Sequence, residues 1–273
     1  MSTFTLPDIS PAVPVRLISN LSRDELMAFP AFKTWLSTVQ HSLSLQSQES
    51  HPFHAAPYKL RSITIQSADF FGQGSRLGFL KFQAVVKNDN DETLPGSVFL
   101  RGGSVGMLLI LTPCDNKDEK YVILTVQPRI PAGSLSFAEI PAGMLDDSGT
   151  FAGGAAKEIK EEVGLEIPEK ELLNMTQLAL EDNAPSAEEQ LQKALYPSPG
   201  GSDEFIPLFL WEKSMPREQI EGFKGRLTGL RDRGEKITLK VVKLEDLWRV
   251  GARDGKTLAA FALYQGLKSA GKI

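Results

Sequence analysis

The 273-residue chain has one cysteine and three histidines, and both scarcities exclude whole classes of protein. A lone Cys114 cannot build an intrachain disulfide framework, and it fits a reducing compartment. It lies in the loop-like stretch TPCDNKDEK, where it reads as a surface thiol rather than a nucleophile. The histidines, His41, His51 and His54, crowd into one polar region and read as surface residues. No Cys/His cluster is therefore available for zinc. A basic excess is also missing. The 30 Lys and Arg fall short of the 34 Asp and Glu, giving a net charge of −4. That balance argues against a general nucleic-acid binder, which would present a basic face. No apolar run approaches the roughly 18–20 residues needed to cross a bilayer, so no membrane role is expected. The opening MSTFTLPDISPAVPV has neither a charged-then-apolar signal pattern nor an arginine-rich one, which makes the cytoplasm the expected compartment.

What is present suits a soluble globular protein, with 41% hydrophobic and 23% charged residues. Residues 1–58 read as an extended arm followed by a helix over 31–45, then the polar, proline-broken stretch 46–58 as a linker. Residues 59–104 read as a β-rich extension, with alternating KLRSITIQ and RLGFLKFQAVV. Residues 105–273 read as the main domain. There SVGMLLILT and YVILTVQ pair as a hairpin, and a helix spans 151–163. A strand or edge segment follows at 171–180, then an edge strand at 205–211 demoted by Pro207. A helix over 216–224, a strand over 236–243 and an amphipathic helix over 256–269 complete it. Mixed strands with a few helices predict an α+β fold.

Chemistry concentrates in residues 143–165, GMLDDSGTFAGGAAKEIKEEVGL. Glu158, Glu161 and Glu162 stand at i, i+3 and i+4 and share one side of a helix. Ala155, Ile159 and Val163 share another side, the one suited to burial, and Gly164 follows as a left-handed C-terminal cap. A like-charge i,i+4 pair such as Glu158–Glu162 costs the helix roughly 0.2–0.5 kcal/mol. Neither of those two has a Lys or Arg three or four residues away; Glu161 has Lys157, in the less favourable order. On spacing alone two readings stand, a solvated acidic face and a divalent-cation site. Oxygen donors of this kind would select Mg²⁺ or Mn²⁺.

The segment resembles the Nudix box, the signature of hydrolases that cleave nucleoside diphosphates linked to another group. Gly143, Glu158, Ile159, Glu161, Glu162, Gly164 and Leu165 match its pattern. Gly149 stands where the pattern has its first Glu, and Lys157 where it has Arg, whose planar fork Lys cannot reproduce. FAEIPAGMLD at 137–146 and SPGGSDE at 198–204 resemble segments of ADP-ribose and ADP-sugar pyrophosphatases. Flanking stretches such as SADFFGQGSRLGFLKF resemble the plant-type ADP-sugar diphosphatase branch, so the likeness runs from about residue 60 to the C-terminus.

The resemblance implies the Nudix α/β/α sandwich with a mixed sheet, and hydrolysis of a nucleoside-diphosphate sugar such as ADP-ribose or ADP-glucose. A UDP-sugar diphosphatase and a catalytically weakened nucleotide-sugar sensor on the same scaffold are the alternatives. Glu158 and Glu162 would hold the metal, with Glu161 as a third ligand or a water-mediated catalytic partner. The carbonyl of Ala142 would complete the set. Glu204 would serve as general base, with Asp203 as the fallback. Gln127 and Arg129 resemble a segment near the phosphates, and Arg101 is a further candidate cation. Phe70 and Phe71 could stack on a base, with core packing the plainer reading. Relatives of this branch imply a homodimer in which residues 1–58 reach the partner's site or cap their own. On this reading Glu204→Gln is expected to keep nucleotide binding while turnover falls by about 10²–10⁴. Steady-state kinetics with parallel binding measurements check it, and unchanged turnover removes Glu204 from the reaction.

Overall fold

The computed structural model describes residues 2–7, 9, 11–72, 76–145, 150–181, 189–230 and 234–273. Gly149, one of the two departures from the box, lies outside them, as does part of the polar loop expected at 181–197. The chain divides into two compact units. The first comprises Met1–Gly103, Ala184–Gln192 and Ser198–Glu204; the second comprises Ser104–Asn183, Lys193–Pro197 and Phe205–Ile273.

In the first unit, strands β1 (Thr3–Thr5) and β2 (Pro14–Arg16) precede helices α1 (Arg23–Ala28) and α2 (Pro30–Leu45). Strands β3 (Lys59–Phe71), β4 (Arg76–Lys87), β5 (Thr93–Leu94) and β6 (Ser97–Leu100) follow. Ser22 starts α1 through a capping box with Glu25. The arm expected at the start is thus partly strand. β2 joins β3 in parallel, a pairing between residues far apart that no local periodicity reveals. β3 and β4 form a long antiparallel ribbon whose alternate residues, Leu80, Phe82, Ala84 and Val86, face the core. Phe32 and Trp35 of α2 meet Phe82 edge-on, at 6.2 and 4.7 Å between ring centroids.

The second unit begins with β7 (Ser104–Pro113), β8 (Tyr121–Arg129), β9 (Ser134–Glu139) and β10 (Ala142–Met144), then α3 (Phe151–Glu162). It continues with β11 (Leu173–Asn174), α4 (Met175–Leu180), β12 (Leu208–Met215) and α5 (Arg217–Glu221). β13 (Leu227–Thr228), β14 (Ile237–Lys243), α6 (Leu247–Val250) and α7 (Gly255–Ser269) complete it. The sheet runs β11-β12-β7-β8-β14-β13, with β10 added to β7 and β9 to β8. β7 is apolar nearly throughout because both of its faces are covered. Met107, Leu109 and Leu111 pack with Ala155, Ile159 and Val163 of the α3 side. Leu108 and Ile110 pack with Ala260, Tyr264 and Leu267 of α7. The result is the expected α/β/α sandwich. Among the described residues no helix is long and apolar enough to cross a membrane.

Two element readings change. Over 171–180 only Leu173–Asn174 remains strand; Asn174 accepts a hydrogen bond from the Gln177 N–H at 3.0 Å and starts a helix instead. The 205–211 segment is not an edge. Pro207 sits just before the first residue of β12, where its missing N–H breaks no ladder, and β12 lies between β11 and β7.

α3 itself begins at Thr150, whose hydroxyl accepts the Gly153 N–H at 3.0 Å. It ends at Gly164, whose φ of +76° favours glycine. Ile159 is fully buried against the sheet. Ile159→Ala is expected to cost about 2–5 kcal/mol of stability. Urea denaturation reads this directly, and an unshifted midpoint would mean that α3 is not anchored there.

Candidate active site

The α3 glutamates are treated unequally by the fold. Glu162 is buried, 2% exposed, whereas Glu158 and Glu161 are half-buried. The Glu162 carboxylate accepts the Ala142 N–H from β10 at 2.9 Å and the Gln127 side-chain amide from β8 at 3.3 Å. Its main-chain carbonyl accepts the hydroxyl of Thr228. Burial pushes the Glu162 carboxyl up to about 8, with the charge of Glu158 acting in the same direction against the Ala142 and Gln127 hydrogen bonds. The Glu158 carboxylate lies on the backbone of Gly143. A Cβ at that glycine would fall 1.8 Å from Cδ of Glu158, so this box position has room only for hydrogen. β10 therefore receives both carboxylates, on consecutive residues.

Glu158 and Glu162 fit a hard divalent cation in donor type, and two neighbouring carboxylates, one of them buried, are what such an ion would stabilise. Among the described residues no three His, Cys, Asp or Glu side chains gather into a metal-holding group.

Beside this pair lies a second charged network. Glu139 of β9, 2% exposed, accepts Arg129 Nε on one oxygen at 2.6 Å and Lys256 Nζ on the other at 2.7 Å. Lys256 also meets Asp254 at 2.9 Å. Asp254 caps α7, accepting the Thr257 N–H at 3.1 Å and its hydroxyl at 2.6 Å. Thr257 Oγ in turn accepts the Ile140 N–H at 3.0 Å. Burial opposes the Lys256 charge, but Glu139 and Asp254 outweigh it and hold the ammonium above the usual lysine range. Gln127 is thus joined to the box glutamate, and Arg129 to Glu139.

Sequence reasoning passed over Glu139, Lys256, Asp254 and Thr257. One signal was available. A lysine in the first turn of a helix sits at the positive end of the dipole and calls for an acidic partner.

In the first unit, Arg101 Nη2 lies 3.4 Å from Glu204 Oε1. Asp203 accepts the backbone N–H groups of Arg101 at 2.8 Å and Gly102 at 3.1 Å. That engagement makes Asp203 a clasp for the loop. Burial pushes its carboxyl up, against those two hydrogen bonds. Arg101 Nε is buried without a hydrogen-bond partner among the described residues. Phe71 packs edge-on against Phe79 at 5.0 Å, and its ring fills the space where Gly78 would carry a Cβ. Phe70 packs on the first unit's core, so both aromatics serve packing. His51 accepts the Phe53 N–H at 3.1 Å and His54 Nδ1 lies 3.0 Å from the Gln46 carbonyl, within the turns of the 46–58 stretch. Cys114 is exposed.

Residues 105–261 match the family profile described as NUDIX domain. The chain belongs to the Nudix family. It is a Nudix pyrophosphohydrolase, acting on phosphoanhydride bonds. It is 34% identical over 244 residues to Nudix hydrolase 14, chloroplastic, of Arabidopsis thaliana, a match covering 89% of this chain and 72% of that relative. A solved structure described as an ADP compounds hydrolase matches 79% of this Nudix chain and 99% of its own, at 15% identity and a TM-score of 0.41. The Arabidopsis relative corrects one expectation. It is described as chloroplastic, which points away from the cytoplasm.

The buried Nudix glutamate has a measurable consequence. In cation-free protein, folded Glu162 holds its proton up to about pH 8, whereas the ordinary carboxyl value is 4.5. Between those values the folded state binds more protons than the unfolded state, so stability falls as pH rises. Urea midpoints taken in chelator across that window should decline, and Glu162→Gln should flatten the decline. An equally steep decline in the variant would trace the effect to another group.

Proposed function

We propose that this Nudix hydrolase cleaves the diphosphate of a nucleoside-diphosphate sugar, with ADP-ribose or ADP-glucose giving AMP and a sugar phosphate. The observation that carries the reading is the buried Glu162 carboxylate, steadied by Ala142 and Gln127 beside Glu158. Mg²⁺ or Mn²⁺ would be held by Glu158 and Glu162, with Glu161 directly or through water, and by the carbonyl of Ala142. When bound, such an ion neutralises diphosphate oxygens and lowers the pKa of a water.

The remaining work falls to the chain itself. Gln127 and the Ala142 N–H fix the Glu162 oxygens, so the carboxylate needs little rearrangement to meet a ligand. Arg129, half-exposed, offers charge to the diphosphate. Glu204 takes the proton of the attacking water, a role assigned by the SPGGSDE motif, and Arg101 is its ion-pair partner. The enzyme works as a homodimer and needs neither nucleic acid nor a membrane.

Incubation with Mg²⁺ and a panel of ADP-ribose, ADP-glucose and UDP-sugars tests the proposal by the nucleotide released. AMP from an ADP-sugar is the expected product. UMP in its place would make the protein a UDP-sugar diphosphatase. Saturable binding without product would support the sensor reading, to which Lys157 in the arginine position points.

A further inference from the structure

Glu139 has one charge and two cationic partners. Arg129 binds one of its oxygens and Lys256 the other, at 2.6 and 2.7 Å. The two cations differ in setting. The Lys256 side chain is 16% exposed and also tied to Asp254, whereas Arg129 is 39% exposed and meets Glu139 through Nε. Pairing through Nε leaves the terminal guanidinium nitrogens for a bidentate contact with a phosphate. Lys256 also occupies the first turn of α7, where the helix dipole disfavours a cation. Arg129 alone could neutralise Glu139, so Lys256, besides balancing Asp254, gives Glu139 a second counter-charge.

We propose that Lys256 is a positioning residue: it keeps Glu139 paired so that the guanidinium of Arg129 is free to close on the diphosphate. A buried carboxylate stripped of every partner is strongly disfavoured, and would otherwise hold Arg129 back. With Lys256 in place, Glu139 keeps a counter-charge whichever way Arg129 turns. Asp254, Thr257 and the Ile140 N–H lock the lysine's helix end to the strand that carries Glu139. The inference rests on the reading of Arg129 as a diphosphate contact.

Its test uses Arg129→Ala, Lys256→Met, Lys256→Arg and the double variant Glu139→Gln/Lys256→Met. KM and kcat for ADP-ribose are measured with Mg²⁺, and Kd for ADP-ribose by calorimetry in chelator. Lys256→Met should raise KM and Kd roughly tenfold with a smaller change in kcat, and Lys256→Arg should stay near wild type. The double variant should recover to within about threefold of wild type, because an uncharged amide in place of the Glu139 carboxylate no longer retains Arg129. A purely structural lysine predicts no such recovery. Should Lys256→Met fail to fold, the double variant and Lys256→Arg still decide, since both keep the site charge-balanced. An Arg129→Ala protein with unaltered KM and Kd would remove the diphosphate contact, and this inference with it. A weakened Arg129→Ala beside an unaltered Lys256→Met, or a double variant no better than the single one, would overturn the role of Lys256 alone.

Discussion

Two carboxylates are pressed onto the backbone of two consecutive strand residues, and the rest of the second unit is arranged around that contact. Glu162 takes the Ala142 N–H, and Glu158 takes the space left by a missing Cβ at Gly143. Such close approach requires α3 and β10 to be held firmly against one another. The apolar face of α3 supplies the clamp. Ala155, Ile159 and Val163 are fully buried against β7, the strand to which β10 is paired. A helix that slid by one residue would bury a glutamate and expose an isoleucine, so core packing and carboxylate placement are one constraint.

The same sheet explains how residues distant in sequence become neighbours. β8 brings Gln127 to Glu162, and β9, paired with β8, brings Glu139 to Arg129. On the opposite face α7 delivers Lys256 and Thr257 to the end of β9. Both faces of one sheet therefore contribute to one patch of chemistry near the β9–β10 corner. In the first unit, loop 198–204 is fixed by other means. Its Asp203 accepts two successive backbone N–H groups, and the Phe99 N–H donates to the Gly201 carbonyl, which holds Glu204 beside Arg101.

Much of the fold was legible because its signals are local. The apolar run of β7, the Thr150 and Gly164 boundaries of α3 and the i, i+4, i+8 stripe all appear in the sequence. The box glutamates were visible for the same reason. What stayed hidden was long-range. The short strands β1 and β2 owe their existence to pairing with each other and with β3. The Glu139–Lys256 contact joins residues 117 positions apart. Asn174 was a local signal overlooked: a capping side chain outweighed the apolar strand-like text after it. Pro207 misled because its effect depends on whether it stands inside a strand or one residue before it.

Among the described residues the second unit buries two glutamates, and the difference between them locates its demand for positive charge. Glu139 is matched by Arg129 and Lys256, with Asp254 balancing the surplus cation, so that network is formally neutral. Among the described residues Glu162 receives only neutral donors, an amide side chain and a backbone N–H, while Glu158 and Glu139 add negative potential. Neutral hydrogen bonds orient a buried carboxylate without cancelling its charge. The protein can relieve that imbalance in two ways, by keeping a proton on Glu162 or by exchanging it for a cation from solution. A lysine or arginine at i±4 on α3 would have offered a third way, and the sequence places none beside Glu158 or Glu162. Glu162 is therefore the buried glutamate of this unit whose described partners are all neutral, and the adjoining ion-paired network is where the fold has already satisfied itself.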